Sequence, residues 1–446
     1  MIHKCSYSIE ISRNLDALRS TIDYYREAVK YLLFPVMDHR NEIRALETSQ
    51  QRQRFVECLV HGTKMQKPVY DFDMVFYKFP SYLRRCAITA AVGAVMSWMS
   101  NHENWVNDGK TGNEPKLGVS RDECPCFYHG NMFLMGKDNT AMIKLYVNHD
   151  WVWRTVRMKK TDVSYLEKRR KMNKDTTISS PVIEKKPKGH FCLRFTLEEK
   201  AELSSMPIFD QKVCAVDLGV NTDAVCSVID VHGTVLARRF INRVREKDQV
   251  MNALHRVSVF QRLHGSHDSG RLWSTAKRRN ENLANQIAHD IVAFARENDC
   301  DVIVFEYLRT NGKKHGSKKQ RLSMWKHRDI QKTAESLAHR YGMHFSRVCA
   351  WNTSRLAYDG SGSAKRGRQI SEETPYDICR FSNGKIYNCN LSASYNIGAR
   401  YFIRELDREL AFTEVPDIMA EVPDIGSGTR RTLSHLWQLD KIMDVL

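Results

Sequence analysis

The sequence predicts a mixed α/β protein, and three patterns support this fold class. Residues 213–240 contain three short apolar runs separated by Gly and Asn, which predicts three strands in a meander. Residues 301–308 contain a run of four apolar residues bounded by charged residues, which predicts a buried strand. Residues 262–298 carry apolar side chains at helical spacing, which predicts a long amphipathic helix beside these strands.

The N-terminal part of the chain predicts a strand followed by a helical block. Residues 4–12 have the pattern of a short strand, and a helical pattern begins at Asn14. Apolar residues then recur every three or four positions on one stripe that ends near Pro35. Further helical segments are predicted at 42–60 and 81–99. The stripe consists of Leu18, Ile22, Tyr25, Val29 and Leu32.

After this block, apolar residues recur at every second position. Residues 126–197 contain alternating or continuous apolar runs, so we expect a β-rich module there. Residues 159–188 interrupt this module with a run of charges, for which a solvated connection is the simplest interpretation and a path along nucleic-acid phosphates the alternative. Residues 330–341 and 344–349 predict a helix and then a strand.

The net charge indicates the kind of partner. The 446 residues include 69 Lys and Arg against 52 Asp and Glu, a formal charge of +17. Such a surplus favours a polyanion, because neutralised phosphates release counterions, whereas a generally basic soluble protein is the alternative. The sequence has no apolar signal core and no run of about 18 apolar residues, so we expect no membrane partner. Its 12 Cys lack a disulfide-framework spacing, which predicts a reducing cytoplasm.

Basic residues cluster in the N-terminal helical block, near the start of the 262–298 segment, and in a loop at 365–368. Each cluster has two interpretations. It either binds a nucleic-acid backbone or forms an ordinary solvated surface. The candidate nucleic-acid-binding residues are Arg52, Arg54, Arg84, Arg85, Lys277, Arg278, Arg279, Lys365, Arg366 and Arg368.

Two acidic residues stand at the ends of predicted strands. Asp217 ends the first strand of the meander, before a tight turn at Gly219, and Glu306 emerges at the end of the 301–308 strand. A carboxylate at the end of a buried strand costs free energy unless it is solvated, paired or bound to a metal. The simpler interpretation of Asp217 is that it only starts a turn.

The order of four motifs in the C-terminal half resembles a known family. The motifs are DLG at 217–219, FEYL at 305–308, NTSR at 352–355 and NLSASYNIGARY at 390–401. In this order they resemble the transposon-encoded TnpB proteins and the compact type V CRISPR effector nucleases. The resemblance is strongest over residues 213–403 and loose over the first 200 residues.

The resemblance implies an α/β fold in which an RNase H-like (RuvC) nuclease domain follows an N-terminal helical recognition domain and a β-barrel wedge domain. The implied bounds are 1–12 for the first wedge strand, 13–120 for the recognition domain, 121–205 for the wedge with its basic linker, 206–348 for the nuclease core, 349–388 for a zinc-finger-like remnant, and 389–446 for the end of the core and the tail.

The resemblance also implies a two-metal Mg²⁺ site for phosphodiester hydrolysis, held by three acidic residues. The first matches Asp217 and the second matches Glu306. The third acid precedes a helix of small residues, and this sequence has Asn390 at that position. Asn offers a neutral carbonyl in place of two anionic oxygens, so one metal position should be weakened or empty. We therefore expect the chain to bind its target and to cleave it poorly or not at all.

Family members often carry two CxxC pairs that bind zinc, and here the pattern is broken. The stretch 357–360 takes the place of the first pair, and Cys379 and Cys389 lie ten residues apart. We therefore expect no zinc, and a remnant that is stabilised by packing and turns.

By resemblance, the chain is an RNA-guided DNA endonuclease of the RuvC-like kind. Its partners would be a structured noncoding guide RNA and a target DNA, met as an RNA–DNA heteroduplex and a displaced strand, in the bacterial cytoplasm near the nucleoid. Two alternatives remain open. One is an RNA-guided repressor without nuclease activity, and the other is an RNase H-like transposase or resolvase that finds its DNA without RNA.

Overall fold

The chain divides into two compact units, one formed by Ile2–Lys200 and the other by Met1 with Ala201–Leu446. The computed structural model describes residues 1–62, 67–172, 175–186, 189–265, 268–308, 324–412 and 430–443. The mixed α/β class predicted from the sequence is confirmed, because both units combine sheets with helices. In the part of the chain that the structure describes, no helix is long and apolar enough to cross a membrane.

The N-terminal unit contains an antiparallel sheet of seven described strands in the order β2-β3-β4-β1-β7-β5, with β6 also pairing with β7. The long central pair, β1 and β7, is in register from Ile2 opposite Lys200 to Ile11 opposite Phe191. The β-rich module predicted after residue 126 is therefore present. The strands are β1 (Ile2–Ser12), β2 (Phe133–Met135), β3 (Thr140–Val147), β4 (Asp150–Met158), β5 (Thr177–Ile178), β6 (Val182–Lys185) and β7 (Phe191–Lys200).

Six helices pack with this sheet. The predicted stripe of α1 is confirmed, since all five of its residues are buried, and the helix itself extends past Pro35. The helix continues to Asp38. Pro35 is tolerated in its last turn, because the missing N–H costs only one hydrogen bond there and the buried ring packs in the core. The helices are α1 (Leu15–Asp38), α2 (Arg40–Ala45), α3 (Ser49–Val60), α4 (Phe72–Val75), α5 (Ser81–Asn107) and α6 (Lys160–Met172).

Helix α6 corrects the expectation of a solvated connection over residues 159–188. Val163 and Leu166 are buried on the inner face of this helix. The sequence did not indicate this face, because charged residues dominate the segment. Arg169 is also buried, and its guanidinium forms an ion pair with Glu199 of β7. A buried charge is tolerated here because it has this partner.

The C-terminal unit contains a five-stranded sheet in the order β10-β9-β8-β11-β12. The first three strands form the predicted antiparallel meander, whereas β8, β11 and β12 are parallel to one another. The parallel pairing places Phe305 of β11 opposite Val216 of β8, so the next residues, Glu306 and Asp217, lie at the same edge of the sheet. The strands are β8 (Val213–Leu218), β9 (Ala224–Ile229), β10 (Val235–Ile241), β11 (Val302–Tyr307) and β12 (His344–Cys349).

Helices cover both faces of this sheet. Alternate residues of β8 point to opposite faces, so that Cys214 and Val216 pack against α7, α8 and α9 while Val213 and Ala215 pack against α10 and α11. Gly398 allows α10 to approach closely, because a Cβ there would lie 2.7 Å from the Ile229 side chain. The helices are α7 (Val244–His264), α8 (Gly270–Glu297), α9 (His327–Arg340), α10 (Cys389–Phe412) and α11 (Leu433–Met443).

A small three-stranded sheet occupies the region of the expected zinc-finger remnant. Cys379 and Cys389 are both buried there in an apolar cluster with Ala357 and Phe381. Asp359 joins the loops beside this cluster, because its carboxylate accepts hydrogen bonds from the 361 backbone N–H and from the Asn383 amide. The strands are β13 (Lys365–Arg366), β14 (Ile378–Arg380) and β15 (Ile386–Asn388).

Candidate active site

Asp217 and Glu306 face each other at the carboxyl ends of β8 and β11. Asp217 is half-buried, and Glu306 is only 7% exposed. Burial and the negative charge of Glu306 raise the pKa of Asp217 well above its usual range. The site therefore holds two carboxylates whose mutual repulsion a nearby cation would relieve.

The Glu306 carboxylate is held from one side by Thr353. The Thr353 hydroxyl, 2% exposed, donates to Glu306 Oε1. Gln331 of α9 donates from Nε2 to the Glu306 backbone oxygen at 2.9 Å. Burial raises the pKa of Glu306, whereas the Thr353 hydrogen bond and the charge of Arg400 act in the opposite direction. The net effect is a raised pKa of Glu306. The Thr353 hydrogen bond orients the carboxylate and offsets part of the effect of burial.

Two residues of α10 support the turn that carries Thr353. Asn396 Nδ2 donates to the carbonyl oxygens of Thr353 and Leu356 at 2.9 and 3.0 Å. Arg400 Nη1 donates to the carbonyl oxygens of Cys349 and Trp351 at 2.7 and 2.9 Å. The two motifs at 352–355 and 390–401 are thereby joined, and both reach Glu306. The motifs pointed to these residues, but the sequence did not indicate this positioning role.

Asn390 lies in the first turn of α10. The helix begins under a cap formed by Asn388, whose Oδ1 accepts from the backbone N–H groups of Asn390 and Leu391 at 3.1 and 3.0 Å. Asn390 Oδ1 is 3.5 Å from the Cys389 Sγ. Burial raises the pKa of the Cys389 thiol to about 11, and the charge of Asp217 adds to this shift. The first turn of α10 is therefore close to Asp217.

The acidic donors brought together at this site are the carboxylates of Asp217 and Glu306. Carboxylate oxygens are the ligands that Mg²⁺ prefers, so Asp217 and Glu306 fit one such ion. Among the described residues, no group of three or more His, Cys, Asp or Glu is arranged to hold a metal ion.

A basic cleft of about 1310 Å³ lies beside the carboxylates. It begins at Val220 and Asn221, just beyond the strand that carries Asp217, and it is lined by Arg355 and by all three basic residues predicted at 365–368. Among these residues, Arg366 is the one whose charge acts on Asp217. Its guanidinium lies 4.7 Å from the Tyr376 ring centroid, and its charge counteracts the rise in the pKa of Asp217. The three residues are Lys365, Arg366 and Arg368.

The predicted cations of the N-terminal block have different environments. Arg84 is buried, and its guanidinium donates to Asp73 and Glu57 at 3.0 and 3.3 Å. This ion-pair cluster joins α3, α4 and α5, so Arg84 is unavailable as a surface cation. Arg85 is 45% exposed and pairs with the same Glu57. The remaining two are Arg52, which donates to the Leu46 carbonyl, and Arg54, which is exposed.

The cations of α8 lie on its surface. Lys277 and Arg278 are exposed, and Arg279 donates from Nη1 to the Gln249 carbonyl of α7 at 3.0 Å. None of the three lines the basic cleft. A nucleic-acid role for these residues, and for Arg52, Arg54 and Arg85, stays a prediction.

Asp217→Asn is expected to stabilise the protein in metal-free buffer. Because the folded state raises the pKa of Asp217, it binds more protons than the unfolded state, and stability falls as pH rises past the unfolded pKa. Removing the charge should raise the free energy of unfolding by about 2 kcal/mol at pH 7. The gain should vanish below about pH 4, where both states are protonated.

Urea unfolding with EDTA between pH 3.5 and 8 measures this effect. Asp210→Asn is the matched control, because Asp210 is an exposed acid of the same unit. Equal stability of Asp217→Asn and the unaltered protein at pH 7 would show that the two carboxylates do not repel each other as described.

Comparison with known proteins gives separate results for the two halves of the chain. The model of the Aq_aa04 family matches residues 3–147, which lie in the N-terminal unit. The uncharacterized protein aq_aa04 of Aquifex aeolicus (strain VF5) is 27% identical over 120 residues. That match covers 26% of this chain and 64% of the relative. It does not reach most of this chain.

Solved structures match over most of the chain. In the cryo-EM structure of the Cas12f1–sgRNA–target DNA complex, the protein matches with a TM-score of 0.53 and 13% identity, over 85% of this chain and 81% of that chain. This chain has the fold of a compact type V effector. The structure of the mini-RNA-guided endonuclease CRISPR-Cas_phi3 matches with a TM-score of 0.47 and 12% identity, over 89% and 92% of the two chains. The resemblance inferred from the four motifs is confirmed at the level of the fold.

Proposed function

We propose that this chain is an RNA-guided DNA-binding protein with a RuvC-like nuclease site that Asn390 weakens. The observation that carries the proposal is the pairing of Asp217 with Glu306 at the ends of neighbouring parallel strands, in a chain with a type V effector fold. The basic cleft beside this pair is suited to a nucleic-acid strand, because its cations can neutralise phosphates next to the carboxylates.

The sheet of the C-terminal unit supports an RNase H-like (RuvC) domain. Its order is a three-stranded antiparallel meander followed by two parallel strands, and its two acids end the first and fourth strands of that sheet in chain order. We assign the helices of the N-terminal unit to a recognition domain and its antiparallel sheet to a wedge domain. These assignments rest on the fold resemblance.

The proposed partners are a structured guide RNA and a DNA target. The Cas12f1 structure is a complex with an sgRNA and target DNA. In this arrangement base pairing reads the DNA sequence, and the protein contacts the RNA scaffold and the heteroduplex backbone. The net charge of +17 supports both contacts. With these partners, the protein would act in the bacterial cytoplasm at the nucleoid.

Mg²⁺ is the cofactor that we propose for the acidic pair. When bound at such a site, the ion activates the attacking water and stabilises the leaving oxygen. Asp217 and Glu306 would hold one ion, and Asn390 would supply a neutral oxygen. A second ion lacks the negative charge that offsets repulsion between two cations. Cleavage should therefore be weak or absent in this chain.

A repressor without nuclease activity is the second candidate, and Asn390 favours it. A protein that binds guide RNA and DNA but cuts poorly would occupy its target and block other proteins there. The two candidates share every step up to DNA binding, so they differ only in whether the bound DNA is cut.

Sequencing of the RNA that co-purifies with the chain tests the proposal. The chain is expressed with its native flanking DNA, and the purified complex is trimmed with nuclease. We expect one protected species with a fixed scaffold and a variable end. Random host fragments would contradict the proposal and would favour an RNase H-like protein that finds its DNA without RNA.

A further inference from the structure

A second cavity, of about 630 Å³, opens on the other side of the turn that follows Asp217. The turn residues 219–221 form one wall, and the helices α7 and α8 form two others. Trp325, just before α9, completes the lining. All of these elements belong to the C-terminal unit.

The lining combines apolar walls with a few polar groups. The walls come from α7 and α8, through side chains such as Leu254, Leu283 and Ala284. The Trp325 indole N–H is buried and has no hydrogen-bond partner among the described residues. Asn221 lies at the edge that the cavity shares with the basic cleft. Apolar walls with an aromatic ring and sparse donors suit a planar heterocycle.

The cavity and the basic cleft meet at the same turn. Val220 and Asn221 line both of them, and this turn follows the strand that carries Asp217. A nucleic-acid strand whose phosphates lie in the cleft therefore passes the mouth of the cavity. The two linings differ in charge. The cleft lining carries four basic residues and one acid, whereas the cavity lining carries two Lys and two Asp that balance each other. A cationic cleft beside a cavity without net charge matches the backbone and the base of one nucleotide.

We propose that this cavity takes one unstacked base of the DNA strand held in the basic cleft. The inference rests on the proposed function and adds a base-binding subsite to it. Removing a base from its stack costs free energy, and the apolar walls and the Trp325 ring compensate for this loss. A base held here anchors the backbone on the cleft side, next to Asp217 and Glu306.

An abasic scan tests the proposal. The complex with its co-purified RNA is mixed with DNA matched to the guide, and single abasic sites are placed in turn along each strand. Dissociation constants are measured for each DNA. We expect one position, or two adjacent positions, at which the abasic site weakens binding about tenfold, the effect typical of a lost base–aromatic stack.

Two variants connect this position to the cavity. Ala284→Leu fills the cavity from α8, and Met251→Trp narrows it from an α7 side chain that is 54% exposed. With either variant, the dissociation constant should no longer depend on the position of the abasic site, so that the abasic profile is flat. The control is Leu263→Trp, an exposed change on the same helix outside the cavity, which should keep the profile.

A flat profile in an unaltered complex that binds DNA overturns this inference alone. A profile that both cavity variants leave unchanged also overturns it, since the base would then lie elsewhere. Absence of RNA-dependent DNA binding by the unaltered complex overturns the proposed function, and this inference with it.

Discussion

Asn390→Asp is expected to raise Mg²⁺-dependent cleavage of guide-matched DNA by about 100- to 1000-fold, the effect typical of one electrostatic contact to a transition state. The new carboxylate would lie in the first turn of α10, close to Asp217. It would supply the negative charge that a second Mg²⁺ requires. Single-turnover cleavage of end-labelled DNA measures the change.

Asn388→Asp is the matched control for this experiment. It adds the same charge two residues away, on the side chain that caps the α10 backbone. It should leave cleavage unchanged. Equal cleavage by the unaltered chain and by Asn390→Asp would contradict the assignment of position 390, and cleavage by Asn390→Asp that persists after Asp217→Asn would contradict the assignment of Asp217.

Thr353→Val should lower the cleavage rate of the Asn390→Asp protein by about 10- to 100-fold, the usual effect of losing a partner that orients a metal ligand. The Thr353 hydroxyl donates to Glu306 and favours its ionised form. Without it the pKa of Glu306 rises, so the acid limb of the pH–rate profile should move to higher pH. Thr353→Ser keeps the donor and should keep both the rate and the profile.

The pH profile separates a positioning role from a structural one. A variant that merely destabilised the fold would lose rate equally at every pH in the stable range. If Thr353→Val slows cleavage without moving the acid limb, Thr353 supports the turn but does not act on Glu306. If Thr353→Ser is as slow as Thr353→Val, the hydroxyl is not the group that matters.

The sequence predicted the parts of this fold that depend on local patterns. The meander and the 301–308 strand are visible as apolar runs, and parallel pairing of their strands brings Asp217 and Glu306 together. The stripe of α1 is visible because its period is helical. These patterns are local, so they can be recognised without knowledge of the tertiary structure.

The parts that were missed depend on contacts distant in sequence. Helix α6 looks like a solvated run until Glu199, 30 residues away, supplies a partner for Arg169. Arg84 looks like a surface cation until Asp73 and Glu57 surround it. The support of Glu306 by Thr353 joins residues 47 positions apart. No local sequence pattern predicts such pairings.

Replacing the guide segment of the co-purified RNA tests RNA guidance most directly. The complex is rebuilt with a guide of new sequence, and binding is measured to DNA matched to the old and the new guides. We expect binding to follow the guide, so that the complex binds the new DNA and no longer the old. Continued binding to the old DNA, whichever guide is present, would contradict RNA guidance.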